Sequence, residues 1–230
     1  MDQFLVKKRN PILFPKSEED FYLQLNALKS DLKTLIADHP AGKDFYLDAS
    51  AGVAVDLRSW LAQWVLAGMV NSEDIEKASD DLLAFTENMG GKTAADKARA
   101  EIKDIAESSV RKMCDMTKAG GANTVWGHDY ASGLTFSLRR GARWVTSNPC
   151  KIQAFKKDFP EHYQDLVSEI KRENAGADAS VMAAQMFTKV CAISARALYP
   201  IFEATDKQYG FVCMQVDPRE VKNTDAMIQQ

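Results

Sequence analysis

The sequence has few of the residues that build metal centres or disulfide frameworks. It contains three histidines and four cysteines among 230 residues, and none of them shows HxH, HxxxH or CxxC spacing. We therefore expect no histidine or thiolate metal site and no disulfide framework. The cysteines are expected to be reduced and mostly buried, and we expect no cofactor.

An excess of basic residues is also missing. The formal net charge is -3, whereas proteins that bind nucleic acid or anionic membranes normally carry a clear excess of lysine and arginine. No apolar run approaches the roughly 18 residues of a membrane-spanning helix, and residues 1–20 lack the apolar core of a signal peptide. These absences predict a cytoplasmic protein with no nucleic-acid or membrane partner, and they indicate no oligomeric state.

Residues 1–121 carry the pattern of an all-helical region. Apolar residues recur at spacings of three and four, first after Ser17, which stands before three acids and is predicted to cap a helix. Two glycine pairs, Gly90-Gly91 and Gly120-Gly121, end successive helices, the second of which is predicted over about 93–118.

Two features of this region are similar to ligand sites. The run MGGKT at 89–93 is similar to the end of a phosphate-binding loop, but Thr86 stands where that motif needs a glycine, and a helix precedes it. We interpret it as a helix break. Trp60 and Trp64 could line a ligand slot, yet at helical spacing the favoured interpretation is core packing.

The pattern changes after Gly121. Three short β-prone runs follow, at 122–129, 141–149 and 209–218, and helical sequence separates them. Strands that alternate with helices are typical of parallel βα units. In such proteins reactive side chains gather at the C-terminal ends of the strands.

Each of these runs ends in polar side chains. Asp129 ends the first run, Thr146 and Asn148 lie at the end of the second, and Gln215 lies near the end of the third. Because side chains alternate along a strand, these four residues can share one face of a sheet. Each also has a local explanation: Asp129 as a helix cap, Asn148 as a turn residue and Gln215 as a hydrogen-bonded core amide.

Taken in this order, the segments VWGHD, WVTSNP and CMQVDP resemble the strand ends of the transaldolase family. That family consists of class I aldolase-type (β/α)8 barrels that form a lysine Schiff base with a ketose. The resemblance covers about residues 122–230. It implies an α/β fold: the first three βα units of a TIM barrel, truncated before the fourth strand and preceded by the helical region 1–121.

The resemblance also implies roles for the four strand-end residues. The substrate would be a sugar phosphate, of the kind handled in the pentose phosphate pathway. Asp129 would transfer protons, Asn148 would hydrogen-bond a substrate hydroxyl or carbonyl oxygen, and Thr146 would line the sugar site. Gln215 stands where the better-known transaldolases carry glutamate; it cannot exchange a proton but can hold a catalytic water.

One family feature is missing from the sequence. The Schiff-base lysine of the family lies on the fourth strand, in a VKIP-like run that is not present. We therefore expect an N-terminal fragment, inactive as given, of a transaldolase-type transferase. Two alternatives stay open: a fructose-6-phosphate aldolase-like lyase, favoured by Gln215, and a helix-rich interaction protein without chemistry.

Overall fold

Helices account for 73% of the structure. The computed structural model describes residues 2–121, 124–130, 133–216 and 221–228. The helices are α1 (Asp2–Leu13), α2 (Glu18–Asp38), α3 (Lys43–Arg58), α4 (Trp60–Val65), α5 (Ser72–Asn88), α6 (Lys92–Glu107), α7 (Ser109–Lys118), α8 (Leu134–Arg139), α9 (Lys151–Asp158), α10 (Pro160–Glu173), α11 (Ala179–Ala204) and α12 (Thr224–Ile228). A 3₁₀ turn lies at Pro40–Gly42, and the strands are β1 (Val145–Ser147) and β2 (Val212–Met214).

The helix α3 is the centre of the helices that precede residue 121. It packs against α1, α2, α5 and α6, and nearly all of Ala49–Leu57 is buried. A helix that is apolar on all sides is typical of such a central position. The hydroxyl groups buried with it are satisfied: Ser50 and Thr86 share a hydrogen bond of 2.8 Å, and Ser79 donates to the Ala54 carbonyl at 2.8 Å.

A buried arginine ties α8 to α3 and α6. The Arg139 guanidinium donates to Asp56 Oδ1 at 2.8 Å, to Glu101 Oε1 at 2.9 Å and to the Gly52 carbonyl at 2.8 Å. Burial alone disfavours the charged guanidinium, but attraction to Asp56 and Glu101 outweighs it and raises the pKa of Arg139. These contacts join α3 and α6 to the segment that leads into β1.

The two strands form a parallel pair. Val145 lies opposite Val212, Thr146 opposite Cys213 and Ser147 opposite Met214. On the other edge of β1, a single parallel bridge joins Val145 to His128. The helix α11 packs against β2. Together with α9 and α10 it forms the connection from β1 to β2, and a parallel pair needs such a long crossover.

Gly210 sets the entry into β2. Its φ is +86°, and a Cβ at this position would lie 2.6 Å from the backbone nitrogen of Phe202 in α11. Only glycine accepts both conditions without displacement of the backbone. The chain therefore reverses from α11 into the strand at very close range.

The prediction of a partial TIM (β/α)8 barrel is wrong. In the described residues the sheet has two strands of three residues each and one isolated bridge, and the architecture is mostly helical rather than an α/β barrel. In the described part of the first β-prone run, 124–129, pairing is confined to the bridge at His128. Strand propensity depends on pairing partners, and here helices, not further strands, bury most of the core.

The helix predictions have mixed outcomes. Ser17 caps α2 through its side chain, as predicted, and the Gly90-Gly91 pair separates α5 from α6. The single helix predicted over 93–118 is two helices, because Ser108 interrupts it and caps α7 with its own side chain.

The cysteines are free, and two of them, Cys114 and Cys191, are buried, whereas Cys150 and Cys213 are exposed. The prediction of mostly buried thiols therefore holds for half of them.

None of the helices in the described ranges is long and apolar enough to cross a membrane. The division of the chain at 121/122 stays a prediction.

A candidate functional site at the strand ends

The sheet has a covered face and an open face. Val145 and Ser147 are 0% and 1% exposed on the covered side, whereas Trp144 is 38% exposed on the open side. Because side chains alternate and Thr146 lies opposite Cys213, both of these residues belong to the open face. The sequence predicts that the polar strand-end residues lie on this open face.

Gly127 and Trp144 are in close contact on this face. A Cβ on Gly127 would lie 2.6 Å from Nε1 of Trp144, so the indole lies directly over the Gly127 backbone. A glycine in a strand-like segment often marks such a close approach. Asp129, two residues further along, follows on the same face at the exit of the segment.

The ends of two parallel segments meet through Asp129 and Thr146. Thr146 Oγ1 donates to Asp129 Oδ1 at 2.7 Å. Lys151, the first residue of α9, places Nζ 3.8 Å from Asp129 Oδ2, while the Asp129 side chain stays 68% exposed. The carboxylate is therefore held at both oxygens and remains open to a ligand. We name Asp129, Thr146, Asn148, Lys151 and Gln215 the strand-end cluster.

Asn148 and Gln215 extend the cluster. Asn148 lies in the turn into α9, where its carbonyl accepts from the Lys151 N–H at 3.0 Å. Its side-chain oxygen Oδ1 is buried and has no hydrogen-bond partner among the described residues. Gln215 is exposed, and its backbone N–H donates to the Ser147 carbonyl at 3.2 Å.

His128 supports the cluster from the covered face. Its backbone N–H donates to the Trp144 carbonyl at 3.0 Å, and its carbonyl accepts from the Thr146 N–H at 2.9 Å. Its ring Nδ1 shares a hydrogen bond of 2.9 Å with Ser137 Oγ. Burial lowers the pKa of His128, although the negative charge of Asp129 opposes the shift. The neutral imidazole is therefore favoured beside the cluster.

The helix α9 holds the loop that carries Asp129. Lys151 at its first position reaches Asp129, and Asp158 at its last position accepts a hydrogen bond of 2.8 Å from the Tyr130 hydroxyl. Two successive loop residues are thus tied to opposite ends of one short helix.

Beneath the sheet, Arg143 is enclosed by aromatic rings. Its guanidinium carbon lies 3.8 Å from the ring centroid of Trp64, 4.7 Å from that of Trp60 and 4.9 Å from that of Tyr209. Trp60 is 1% exposed, as its interpretation as a core residue requires. The two indoles contact a side chain of the chain itself, in a cation–π arrangement.

The local explanations for the predicted site residues have different outcomes. Asp129 does not cap α8, whose N-cap is Gly133. Gln215 is exposed and so is not a core amide. Asn148 does lie in a turn, which leaves its unpartnered Oδ1 to be explained.

Lys151 is the member of the cluster that the sequence did not single out. The sequence predicts that Lys151, like the other lysines after Asp129, lies on a helix, turn or loop and not on a strand. The usable signal is its place three residues after Asn148, at the start of the helix that follows β1, because a long side chain there can turn back over the strand end.

Comparison with known proteins supplies no relative. No family model, curated protein or solved structure matches the chain. Among the side chains that the structure describes, no group of three or more His, Cys, Asp or Glu residues is arranged to hold a metal ion. The strand-end cluster is therefore the basis for a functional proposal.

Proposed function

We propose that the strand-end cluster binds a ketose phosphate and serves the transaldolase-like transfer of a dihydroxyacetone unit between sugar phosphates through a lysine Schiff base. The observation that carries the proposal is the hydrogen bond of 2.7 Å from Thr146 to Asp129, which joins the ends of two parallel segments on the open face. The proposal depends on this cluster and on the resemblance of its three segments.

The cluster offers what a ketose requires. A sugar presents hydroxyl groups that both donate and accept, and the site combines the exposed carboxylate of Asp129 with the hydroxyl of Thr146. A contact between Asn148 and the substrate stays a prediction. Asp129 is the group that can exchange protons during addition to the carbonyl and carbon–carbon cleavage. Gln215 would hold a water by hydrogen bonds without exchanging a proton itself.

The binding half of the proposal is tested first. Titration of the 230-residue chain with the neutral ketose fructose, followed by NMR chemical-shift changes, should give saturable binding that Asp129→Ala removes. Asp165→Ala in α10 is the matched control, since it removes an exposed carboxylate that is not part of the cluster. Absence of any fructose-dependent shift in the wild-type chain would contradict the proposal.

The Schiff-base half requires an uncharged lysine amine that attacks the ketose carbonyl. The sequence contains no VKIP-like run, so the lysine is proposed to lie outside residues 1–230. Incubation of a longer protein that contains this chain with fructose 6-phosphate and borohydride, followed by peptide mass spectrometry, should reveal a reduced adduct on that lysine. Binding without an adduct would contradict the Schiff-base chemistry and favour a non-enzymatic binding protein.

A second candidate is an aldolase-type lyase, which Gln215 favours because it replaces the carboxylate of the better-known transaldolases. The lyase would release free dihydroxyacetone instead of passing it to an aldose. Condensation of dihydroxyacetone with glyceraldehyde 3-phosphate, compared with transfer to erythrose 4-phosphate, distinguishes the two activities.

A further inference from the structure

Lys151 is a cation placed beside the proposed sugar site but only loosely engaged there. Its Nζ lies 3.8 Å from Asp129 Oδ2, and the two side chains are 38% and 68% exposed. That separation is longer than a normal hydrogen bond. Solvated ion pairs of this kind contribute little, so a ligand can take over the ammonium at small cost.

Asp129 does not depend on Lys151 for its position. Its other oxygen, Oδ1, accepts the short hydrogen bond from Thr146, and the neighbouring backbone is held by the pairing of His128 with Thr146 and Trp144. Removal of the Lys151 charge should therefore leave the carboxylate in place.

Within α9, no acidic side chain in the first turn competes with a ligand for Lys151. Lys151 is the first residue of this helix, and a helix start carries a partial positive charge. The first backbone amides do not form an anion site themselves, because the N–H groups of Lys151, Ile152 and Gln153 donate to the carbonyls of Asn148, Pro149 and Cys150. The ammonium is thus the group able to bind an anion.

From this geometry we propose that Lys151 binds the anionic group of the substrate and is the residue that makes the strand-end cluster prefer an acidic sugar over a neutral one. The inference rests on the proposed function, since it assumes that the hydroxyl groups bind at Asp129 and Thr146. The chemistry that Lys151 recognises is an anionic substituent on a polyol, either a phosphate ester or a carboxylate.

The test compares three ligands on the 230-residue chain by NMR titration: fructose, fructose 6-phosphate and gluconate. We expect fructose 6-phosphate to bind about tenfold more tightly than fructose, the size of one additional charged contact. Lys151→Met should abolish this difference, and Lys151→Arg should keep most of it. Lys157→Met, which removes the same charge from an exposed position of α9, should leave it unchanged.

Each outcome bears on a separate claim. A phosphate preference that persists in Lys151→Met, or equal binding of fructose and fructose 6-phosphate to the wild-type chain, would overturn the role of Lys151 alone. Absence of binding by all three ligands would overturn the proposed function together with it. Comparison of gluconate with fructose 6-phosphate shows which anion the site prefers, and a loss of both preferences in Lys151→Met supports the assignment.

Discussion

The side-chain amide of Asn10 donates from Nδ2 to the carbonyl oxygen of Arg196 at 2.9 Å, the acceptor that Pro200 leaves without its helical donor. Proline has no N–H, so the carbonyl four residues earlier in α11 loses its partner. Asn10, in α1, supplies the missing donor from outside the helix. Its neighbour Arg9 donates to the next carbonyl, that of Ala197, also at 2.9 Å.

This relationship predicts coupling between Asn10 and Pro200. Asn10→Ala should lower the free energy of unfolding by about 1 kcal/mol, because it leaves the Arg196 carbonyl without a protein donor. In a Pro200→Ala background the restored backbone amide can serve that carbonyl, so the same change should cost less. Urea denaturation of the four variants measures the coupling, and an equal loss in both backgrounds would contradict this account.

The buried Arg139–Asp56 pair, which joins α8 to α3, should contribute strongly to the free energy of unfolding. Asp56→Ala removes the buried partner of the Arg139 guanidinium and leaves the partly exposed Glu101 as its charged partner, and we expect it to cost about 3 kcal/mol in urea unfolding. Asp80→Ala is the matched control, because the Asp80 side chain is 64% exposed where it pairs with Arg58. That exposed pair should contribute less than about 1 kcal/mol, so similar losses for the two variants would contradict the prediction.

The Thr146 hydroxyl should matter for binding more than for folding. Thr146→Val keeps the side-chain volume but removes the donor to Asp129. We expect the affinity for fructose to fall by roughly fivefold, while the melting temperature changes by less than about 2 °C. Thr146→Ser retains a hydroxyl and should bind nearly as the wild type does. NMR titration and thermal unfolding provide the two measurements.

His128 should make stability depend on pH. Burial lowers its pKa below the ordinary value of 6.5, so the unfolded chain binds a proton before the folded chain does. This contribution to stability is complete above pH 6.5 and is lost as the pH falls through the lowered value. The urea midpoint of the wild type should therefore fall more between pH 7 and pH 5 than that of His128→Gln. Parallel curves for the two proteins would show that His128 is not the responsible group.

The cysteines provide a chemical probe of the open face. Cys213 is exposed and lies opposite Thr146, whereas burial raises the pKa of Cys191 to about 11. Iodoacetamide at pH 8 should modify Cys213 and Cys150 well before Cys191. Saturating fructose 6-phosphate should slow the reaction of Cys213, as measured by mass spectrometry. An unchanged rate at Cys213 would argue against ligand binding on the open face.

The shared face of the polar strand-end residues could be predicted from the sequence, because alternation along an extended chain fixes which side chains lie together. The strand lengths could not. In the residues that the structure describes, the three runs of eight to ten β-prone residues pair over three positions or fewer, since pairing depends on neighbours that a run does not contain.

Long-range contacts also lay outside what the sequence pattern could supply. Arg139 and Asp56 are 83 residues apart, and neither has a periodic signal that distinguishes it from a surface charge. Lys151 reaches Asp129 through the conformation of its own side chain, which no spacing rule specifies. The part of the site built by backbone register was therefore predictable, and the part built by long side chains was not.

The two ends of α9 are attached unequally. At the first residue, Lys151 lies 3.8 Å from Asp129 in a solvated ion pair, whereas at the last residue Asp158 accepts a hydrogen bond of 2.8 Å from Tyr130, and Phe155 between them is buried. An anion that draws Lys151 away therefore removes only the weaker contact and should leave the helix in place. The strand ends would then act as a preformed site, which a ligand enters without a change in the backbone.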